Sequence, residues 1–264
     1  MDKFYTKPDY ALYCMDVVKS RINLSEMHFF EPCVGDGSFY NLMPIDRRSG
    51  YDIHPRVPNV PARNFLIQRS LVNNGLPVCV VSNPPFGRLS SVAVKFFNKC
   101  ASFPDVCFIC FIVPLTFRKA ATQNKLNESF HLIHDEECPK KCFLIDGREH
   151  HVPTCFQIWE RREFLRPKNI IKNDSEYFEF CTKEVADIQI KRVGTKAGEI
   201  AELGHEHKDA AMYYIKSPHK GQIKKVMESE HYINDIIGLR NSTAGVYCVS
   251  KSELVQTIEK HISF

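Results

Sequence analysis

The chain has 264 residues, of which 44% are hydrophobic, enough for a catalytic-sized core with a smaller addition, which excludes a disordered polypeptide. Its formal charge of +4 permits a nucleic-acid partner without requiring one. The eleven cysteines would suit a disulfide framework in a short secreted chain; with no signal-like opening at Met1, and with Cys79, Cys107 and Cys110 inside apolar runs, a reducing, cytoplasmic setting is expected instead. The longest apolar run, Val106 to Leu115, is about half the ~20 residues a bilayer crossing requires, so no membrane span is expected.

In chain order, Thr6 and Pro8 precede apolar residues at helical spacing, Ala11, Leu12, Met15 and Val18, which predicts a helix from Pro8. Met27-His28-Phe29-Phe30 is a short strand running into the glycine turn Glu31-Pro32-Cys33-Val34-Gly35-Asp36-Gly37, followed by a helix-like piece through Leu42. Gly50 to Ile53 predicts a second strand with Asp52 near its end, and Ala62 to Leu66 a loop. Pro77 to Ser82 is a further strand, Val92 to Cys100 a helix, Val106 to Leu115 a strand, and Arg118 to Phe130 a polar helix. Phe143 to Ile145 and Thr154 to Trp159 are expected to complete the sheet with an antiparallel pair. Strands that are apolar throughout and alternate with helices are buried on both faces, so the expectation is an α/β protein with a doubly wound, Rossmann-like sheet.

Beyond Arg162 charges become denser, and Asp187 to Gly194 alternates as antiparallel strands do. A boundary is expected between residues 163 and 175, giving a domain over 1–165 and a smaller α+β region over 166–264 with helices at Lys220 to Ser229 and Lys251 to Ile262.

Three motifs carry chemistry. Gly35 and Gly37 let the backbone approach a ligand closely. The spacing is not that of a phosphate or dinucleotide loop, and the anionic pair Glu31 and Asp36 suits a cationic ligand better than a pyrophosphate. Asp52, at the end of the next strand, stands where a carboxylate accepts from both hydroxyls of a ribose. The third motif is Asn83-Pro84-Pro85-Phe86. Two prolines stop strand pairing and fix the backbone, so the Asn83 side-chain oxygen and the Pro84 carbonyl make a rigid pair of acceptors. An aromatic exocyclic amine has its lone pair delocalised into the ring; gripping both N–H groups lets the nitrogen pyramidalise, while Phe86 offers a stacking face.

Together, E-P-x-x-G-D-G-S-F, the acid after the next strand and N-P-P-F resemble the S-adenosylmethionine-dependent methyltransferases that modify adenine at N6. The opening F-Y-T-K-P resembles the segment that in this superfamily packs over the cofactor's methionine end, and its place before the glycine motif is the gamma-type order, seen in DNA enzymes including viral and phage ones. The resemblance spans roughly residues 4 to 160 and implies a class I methyltransferase sheet. It implies that Tyr5, Thr6 and Pro8 contact the methionine moiety, that Glu31, Cys33, Gly35 and Gly37 line its turn, that Asp52 takes the ribose and that Ile53 packs on the adenine. Asn64-Phe65 stands where the family has Asp-Phe, with the acid accepting from the cofactor's adenine amine.

The implied catalytic loop is Asn83, Pro84, Pro85 and Phe86, with Asn83 also beside the cofactor. Phe156 is the second aromatic around an extruded base, a place for which Phe143 and Trp159 compete. The implied substrate is adenine in DNA. The alternatives are adenine in RNA, a protein glutamine, whose enzymes use a similar loop, and a catalytically silent subunit that binds nucleic acid. In the last third, Arg192 and Lys196 flank the Gly194-Thr195 turn as candidate phosphate contacts among Lys191, Lys208, Lys216, Lys220, Lys224 and Lys225. His134, Cys138, Cys142, His150, His151 and Cys155 offer no clean four-ligand set, so the segment is expected to be a solvated loop and no metal is assigned.

Overall fold

The computed structural model describes residues 4–201, 209–243 and 245–262. Lys208 lies outside the described residues. The chain divides into two units, Met1–Asn169 and Ile170–Phe264.

In the first unit, β1 (Tyr5–Thr6) leads into α1 (Pro8–Arg21), which starts at a proline and carries Asp9 in its first turn and Lys19 and Arg21 in its last, the charge order a helix dipole favours. Then follow β2 (His28–Glu31), β3 (Arg48–Gly50), β4 (Val78–Ser82), α2 (Ser91–Ala101), β5 (Val106–Pro114), the single turn α3 (Ala120–Gln123), β6 (Phe130–Glu137), β7 (Phe143–Ile145), β8 (Arg148–His150) and β9 (Thr154–Arg161). Six strands form one sheet in the order β3-β2-β4-β5-β9-β6. The pairs among β3, β2, β4 and β5 are parallel, and β9 runs antiparallel between β5 and β6.

The apolar runs are continuous because both faces of this sheet are covered. Phe29, Cys79, Val81, Cys110, Ile112, Phe156 and Ile158 pack beneath Ala11, Cys14, Met15 and Val18 of α1. The alternate residues Phe30, Val78, Val80, Ile109, Phe111 and Trp159 pack with Ala93, Phe96 and Phe97 of α2. Successive strand residues thus feed two cores, as a period of two requires. A fully buried aromatic such as Phe97 contributes roughly 1.5–3 kcal/mol by leaving water. The result is the expected doubly wound, Rossmann-like α/β sheet.

Several expectations are corrected. The helix anticipated through Leu42 is only a 3-10 turn at Tyr40–Leu42, since Pro44 forces Met43 into extended backbone. The polar helix from Arg118 shrinks to α3, and Phe130 opens a strand. Between α3 and β6, Asn127 accepts from the Ser129 amide at 2.9 Å, a local turn that competes with helix. The stretch from 131 onward is therefore strand β6 where a solvated loop was expected. Phe143–Ile145 does not join the main sheet; it pairs with β1 and β8 in a separate three-stranded sheet, with a turn at Asp146 (φ 47°) and Gly147 (φ 76°) of the kind that suits a hairpin.

In the second unit, β10 (Glu179–Phe180), β12 (Met212–Lys216) and β11 (Ile188–Lys191) form an antiparallel sheet with β12 central. Helices α4 (Lys220–Glu228), α5 (Glu230–Asn241) and α6 (Lys251–His261) share a core with it through Ile190, Ile215, Ile223, Tyr232, Ile236 and Ile258. The middle helix, α5, was not anticipated from the sequence. It begins at Ser229, whose side chain accepts from the Tyr232 amide, and α6 begins with a reciprocal Ser250–Glu253 capping box. Among the described residues, no helix is long and apolar enough to cross a membrane.

Candidate active site

Strands β2 and β4 are neighbours and run in the same direction, so the glycine turn after Glu31 and the loop after Ser82 emerge at the same end of the sheet. In open α/β sheets the carboxyl ends of the strands are where ligands bind. Contacts of named atoms tie the two exits together. The Cys33 thiol lies 3.1 Å from the Ser82 hydroxyl and 3.6 Å from the Asn83 main-chain oxygen.

The glycine turn is held by Asp52. Its two carboxylate oxygens accept from the Gly35 amide at 2.8 Å and from the His54 amide at 2.7 Å. Asp52 is half-buried, and each oxygen retains a lone pair for a further donor. A parallel bridge from Asp52 to Ala62 continues the sheet edge beyond β3. Gly35 has φ +59° and Gly37 φ +90°, and a Cβ on Gly35 would stand 3.3 Å from the Tyr5 ring, so the turn is shaped around that aromatic. The Arg56 guanidinium lies 4.8 Å from the centroid of the Tyr5 ring. Burial raises the Tyr5 phenol pKa, against the opposing pull of Arg56.

Glu31 is 2% exposed, and its Oε2 has no hydrogen-bond partner. Burial, with the nearby Asp36 carboxylate adding to it, holds the Glu31 carboxyl well above the usual carboxylate range. Asp36 itself is exposed and turned locally, accepting from the Ser38 amide at 3.1 Å. Burial likewise pushes the Cys33 thiol up, so it is a neutral packing group in this turn.

The loop after β4 is fixed by its amide. Asn83 Nδ2 donates to the Phe4 carbonyl at 2.9 Å and to Thr6 Oγ1 at 3.1 Å. Both side-chain N–H groups are thereby used, and Oδ1 is the end left to accept. Pro84 is buried, while Pro85 and Phe86 are half-buried. The Phe86 carbonyl accepts from the Val92 and Ala93 amides at 3.1 and 3.2 Å, pinning the loop to the start of α2. Gly87, with φ 70°, is in the left-handed region, as are Leu89 and Ser90, which follow the loop. The Phe86 ring stacks on Phe4 with centroids 6.3 Å apart and planes 18° off parallel.

The remaining candidates are distributed as follows. Tyr5 and Thr6 form β1, and Thr6 is 3% exposed; Pro8 is exposed at the first turn of α1. Ile53 is 67% exposed beside Asp52. Asn64 caps the 3-10 turn Phe65–Ile67, its Oδ1 accepting from the Leu66 amide at 3.0 Å, and Phe65 is buried against Phe30, Phe96 and Phe103. Phe156 lies in the middle of β9, wholly buried under α1 with its ring against His134, so no face of it is open to a base. Its rivals Phe143 and Trp159 are equally buried.

The sequence reading missed Phe4, Ser38 and Ser82. Ser38 donates to the Thr6 carbonyl at 2.7 Å, and the only signal for it was its place directly after Gly37. Cys155 packs in the α2-side core while Cys138 and Cys142 pack in the α1-side core, and among the described residues no group of three His, Cys, Asp or Glu side chains is arranged to hold a metal. In the second unit Arg192 donates to the Ala210 carbonyl at 3.1 Å beside the Tyr213 ring, and Lys196 is exposed past Gly194.

No family model and no curated protein matches the chain. Solved structures do show a likeness. A modification subunit of a putative type I restriction enzyme from Vibrio vulnificus YJ016 aligns over 61% of this chain and 45% of its own, at 14% identity and a TM-score of 0.43. A putative RNA methyltransferase from Pyrococcus horikoshii aligns over 60% of this chain and 86% of its own, at 11% identity and a TM-score of 0.47. The 23S rRNA methyltransferase ErmE aligns over 98% of this chain and 99% of its own, at 12% identity and a TM-score of 0.44. The chain therefore spans less than half the length of the restriction-system subunit. The likeness is one of fold. At such identities and scores it carries no argument about chemistry, which rests on the residues above.

Proposed function

We propose that the first unit transfers a methyl group from S-adenosylmethionine to the N6 amine of adenine in a nucleic acid, with DNA as the first substrate to test. The observation that carries this reading is the double commitment of the Asn83 amide nitrogen to Phe4 and Thr6, which leaves a neutral oxygen as the free end of a proline-stiffened strand exit.

The residues at the turn fit the cofactor. Asp52 braces the turn through Gly35 and keeps lone pairs for two ribose hydroxyls, and the left-handed glycines leave the backbone bare. When bound, S-adenosylmethionine supplies a methyl group on a positive sulfonium; the new N–C bond forms as the S–C bond breaks, and the amine proton passes to solvent. The Asn83 oxygen and the Pro84 carbonyl accept from the two amine hydrogens of the base, drawing the lone pair out of conjugation, and they stabilise the positive charge that develops on nitrogen. They are neutral acceptors, so they favour that charge without deprotonating the amine first. Among the described residues no main-chain amide donates to the Pro84 carbonyl, which is available for this role. Phe86 gives the base a surface to stack on, worth roughly 1–3 kcal/mol, and the base reaches it by leaving its stack. The second unit, with Arg192 and Lys196 beside its Gly194 turn, is the candidate for contacting the phosphate backbone.

The test is incubation with methyl-labelled cofactor and separate pools of double-stranded DNA, single-stranded DNA, capped RNA and protein, followed by digestion and identification of the labelled product. N6-methyladenine in a nucleic-acid pool is the expected result. Asn83→Ala is expected to lower kcat by about 10²–10³, the scale set by loss of one preorganised polar contact, while cofactor affinity measured by calorimetry stays close to wild type. Label in glutamine, or wild-type turnover by the variant, would overturn the assignment.

A further inference from the structure

Thr6 is the residue expected at the cofactor's methionine end, and its side chain also makes a contact with the loop after β4. It is 3% exposed, and its hydroxyl oxygen accepts from Asn83 Nδ2 at 3.1 Å. The second acceptor on that nitrogen is the carbonyl of Phe4, two residues earlier. Both acceptors belong to the stretch around β1, which is itself held from two sides. Thr6 pairs with Phe143, the Lys7 amide donates to the Cys142 carbonyl at 3.0 Å, and the Thr6 carbonyl receives the Ser38 hydroxyl at 2.7 Å. The N-terminal strand thus joins the β7–β8 hairpin, the glycine turn and Asn83 through named hydrogen bonds.

An asparagine amide is nearly symmetric in shape, and turning it by half a revolution exchanges a donor for an acceptor with little steric change. A methyl acceptor's amine is gripped only when the oxygen is the free end. The Phe4 carbonyl has no proton to give, so it selects the NH2 end, and Thr6 takes the second N–H and fixes the rotamer. We propose that Thr6 is a positioning residue for Asn83: its hydroxyl and the Phe4 carbonyl together hold the amide so that Oδ1 meets the target amine. The inference rests on the methyl-transfer reading for its kinetic consequence, but the clamp itself is measured independently of turnover.

The experiment compares wild type with Thr6→Val, which keeps the shape and removes the acceptor, and with Thr6→Ser, which restores it. Kinetically, Thr6→Val is expected to lower kcat roughly 10- to 100-fold, the consequence of leaving one buried amide N–H unpaired. KM for nucleic acid and the calorimetric Kd for cofactor are expected to stay within about twofold on that account, and Thr6→Ser to recover most of the rate. By NMR, one Asn83 side-chain amide proton is expected to exchange faster in Thr6→Val and to regain protection in Thr6→Ser. Thermal melts report folding; should Thr6→Val fail to fold, Thr6→Ala is read in the same way. A loss of cofactor affinity matching the loss of rate, unchanged kcat, or unchanged exchange would each overturn the clamp. If wild type methylates nothing while the exchange data behave as stated, the methyl-transfer reading has failed and the clamp has stood.

Discussion

The two units treat their polar side chains differently. In the first, the groups at the strand exits are fixed by partners far away in sequence: Asn83 by Phe4 and Thr6, Gly35 by Asp52, Cys33 by Ser82. In the second, the two candidate phosphate contacts are exposed, with Lys196 on the surface and Arg192 donating to the Ala210 carbonyl beside the Tyr213 ring, whereas Arg240 is held in an ion pair with Glu199. The difference is the one the two proposed tasks would demand. Stabilising charge on one nitrogen needs atoms placed in advance, whereas attraction to a phosphate backbone needs only charge near the right surface.

The largest test of this contrast sets Phe156 against Phe86. Phe156→Ala is expected to destabilise the protein by about 3–5 kcal/mol, the cost of a large cavity under α1, read as a fall in denaturation midpoint. Phe86→Ala is expected to leave most stability intact and to lower kcat/KM instead. A variant pair with those effects exchanged would show that the stacking aromatic has been misassigned. Next in size is Gly198→Ala in the second unit. Gly198 has φ +89°, and a Cβ there would stand 2.5 Å from Ile236 of α5, so a loss of roughly 1–3 kcal/mol is expected in urea melts. Methyl transfer to a free nucleoside should persist in that variant wherever the first unit remains folded.

A smaller effect concerns Glu31. Its folded-state pKa is raised, chiefly by burial and then by Asp36, so between the ordinary value of 4.5 and the raised value the folded chain binds the proton that the unfolded chain has released. The stability this gives is fully present below pH 4.5 and is lost as pH rises through the folded value. Glu31→Gln, which is neutral throughout, is expected to flatten that decline in melts measured across the acid to neutral range. The smallest effect is on salt dependence. Lys196→Gln is expected to reduce the slope of log K against log salt by about 0.9 for duplex DNA, with kcat unchanged. An unaltered slope would remove Lys196 from the phosphate surface.

Local sequence was enough to read the helices at Pro8, Ser91, Lys220 and Lys251, since each carries a clear apolar spacing or cap. Some of what it misled on was local, as at Met43 before Pro44, and some was tertiary. Phe143–Ile145 has the composition of a core strand, yet it pairs with β1, while β6, which the sequence reading did not expect as a strand, fills the place beside β9. The bent glycine turn and the proline-stiffened exit after Ser82 were also legible in the sequence, because those residue types impose their own backbone restrictions. The resemblance implied Phe156 as a partner for Phe86, and strand alternation sent it into the α1-side core.

By itself, the sequence determined which backbone is bent, which is stiff and which strands must be covered on both faces, since these follow from glycine, proline and apolar spacing. Only the tertiary structure decided that Phe4 and Thr6 accept from the Asn83 amide, because a hydrogen bond between residues so far apart in the chain exists only once the fold has brought them together.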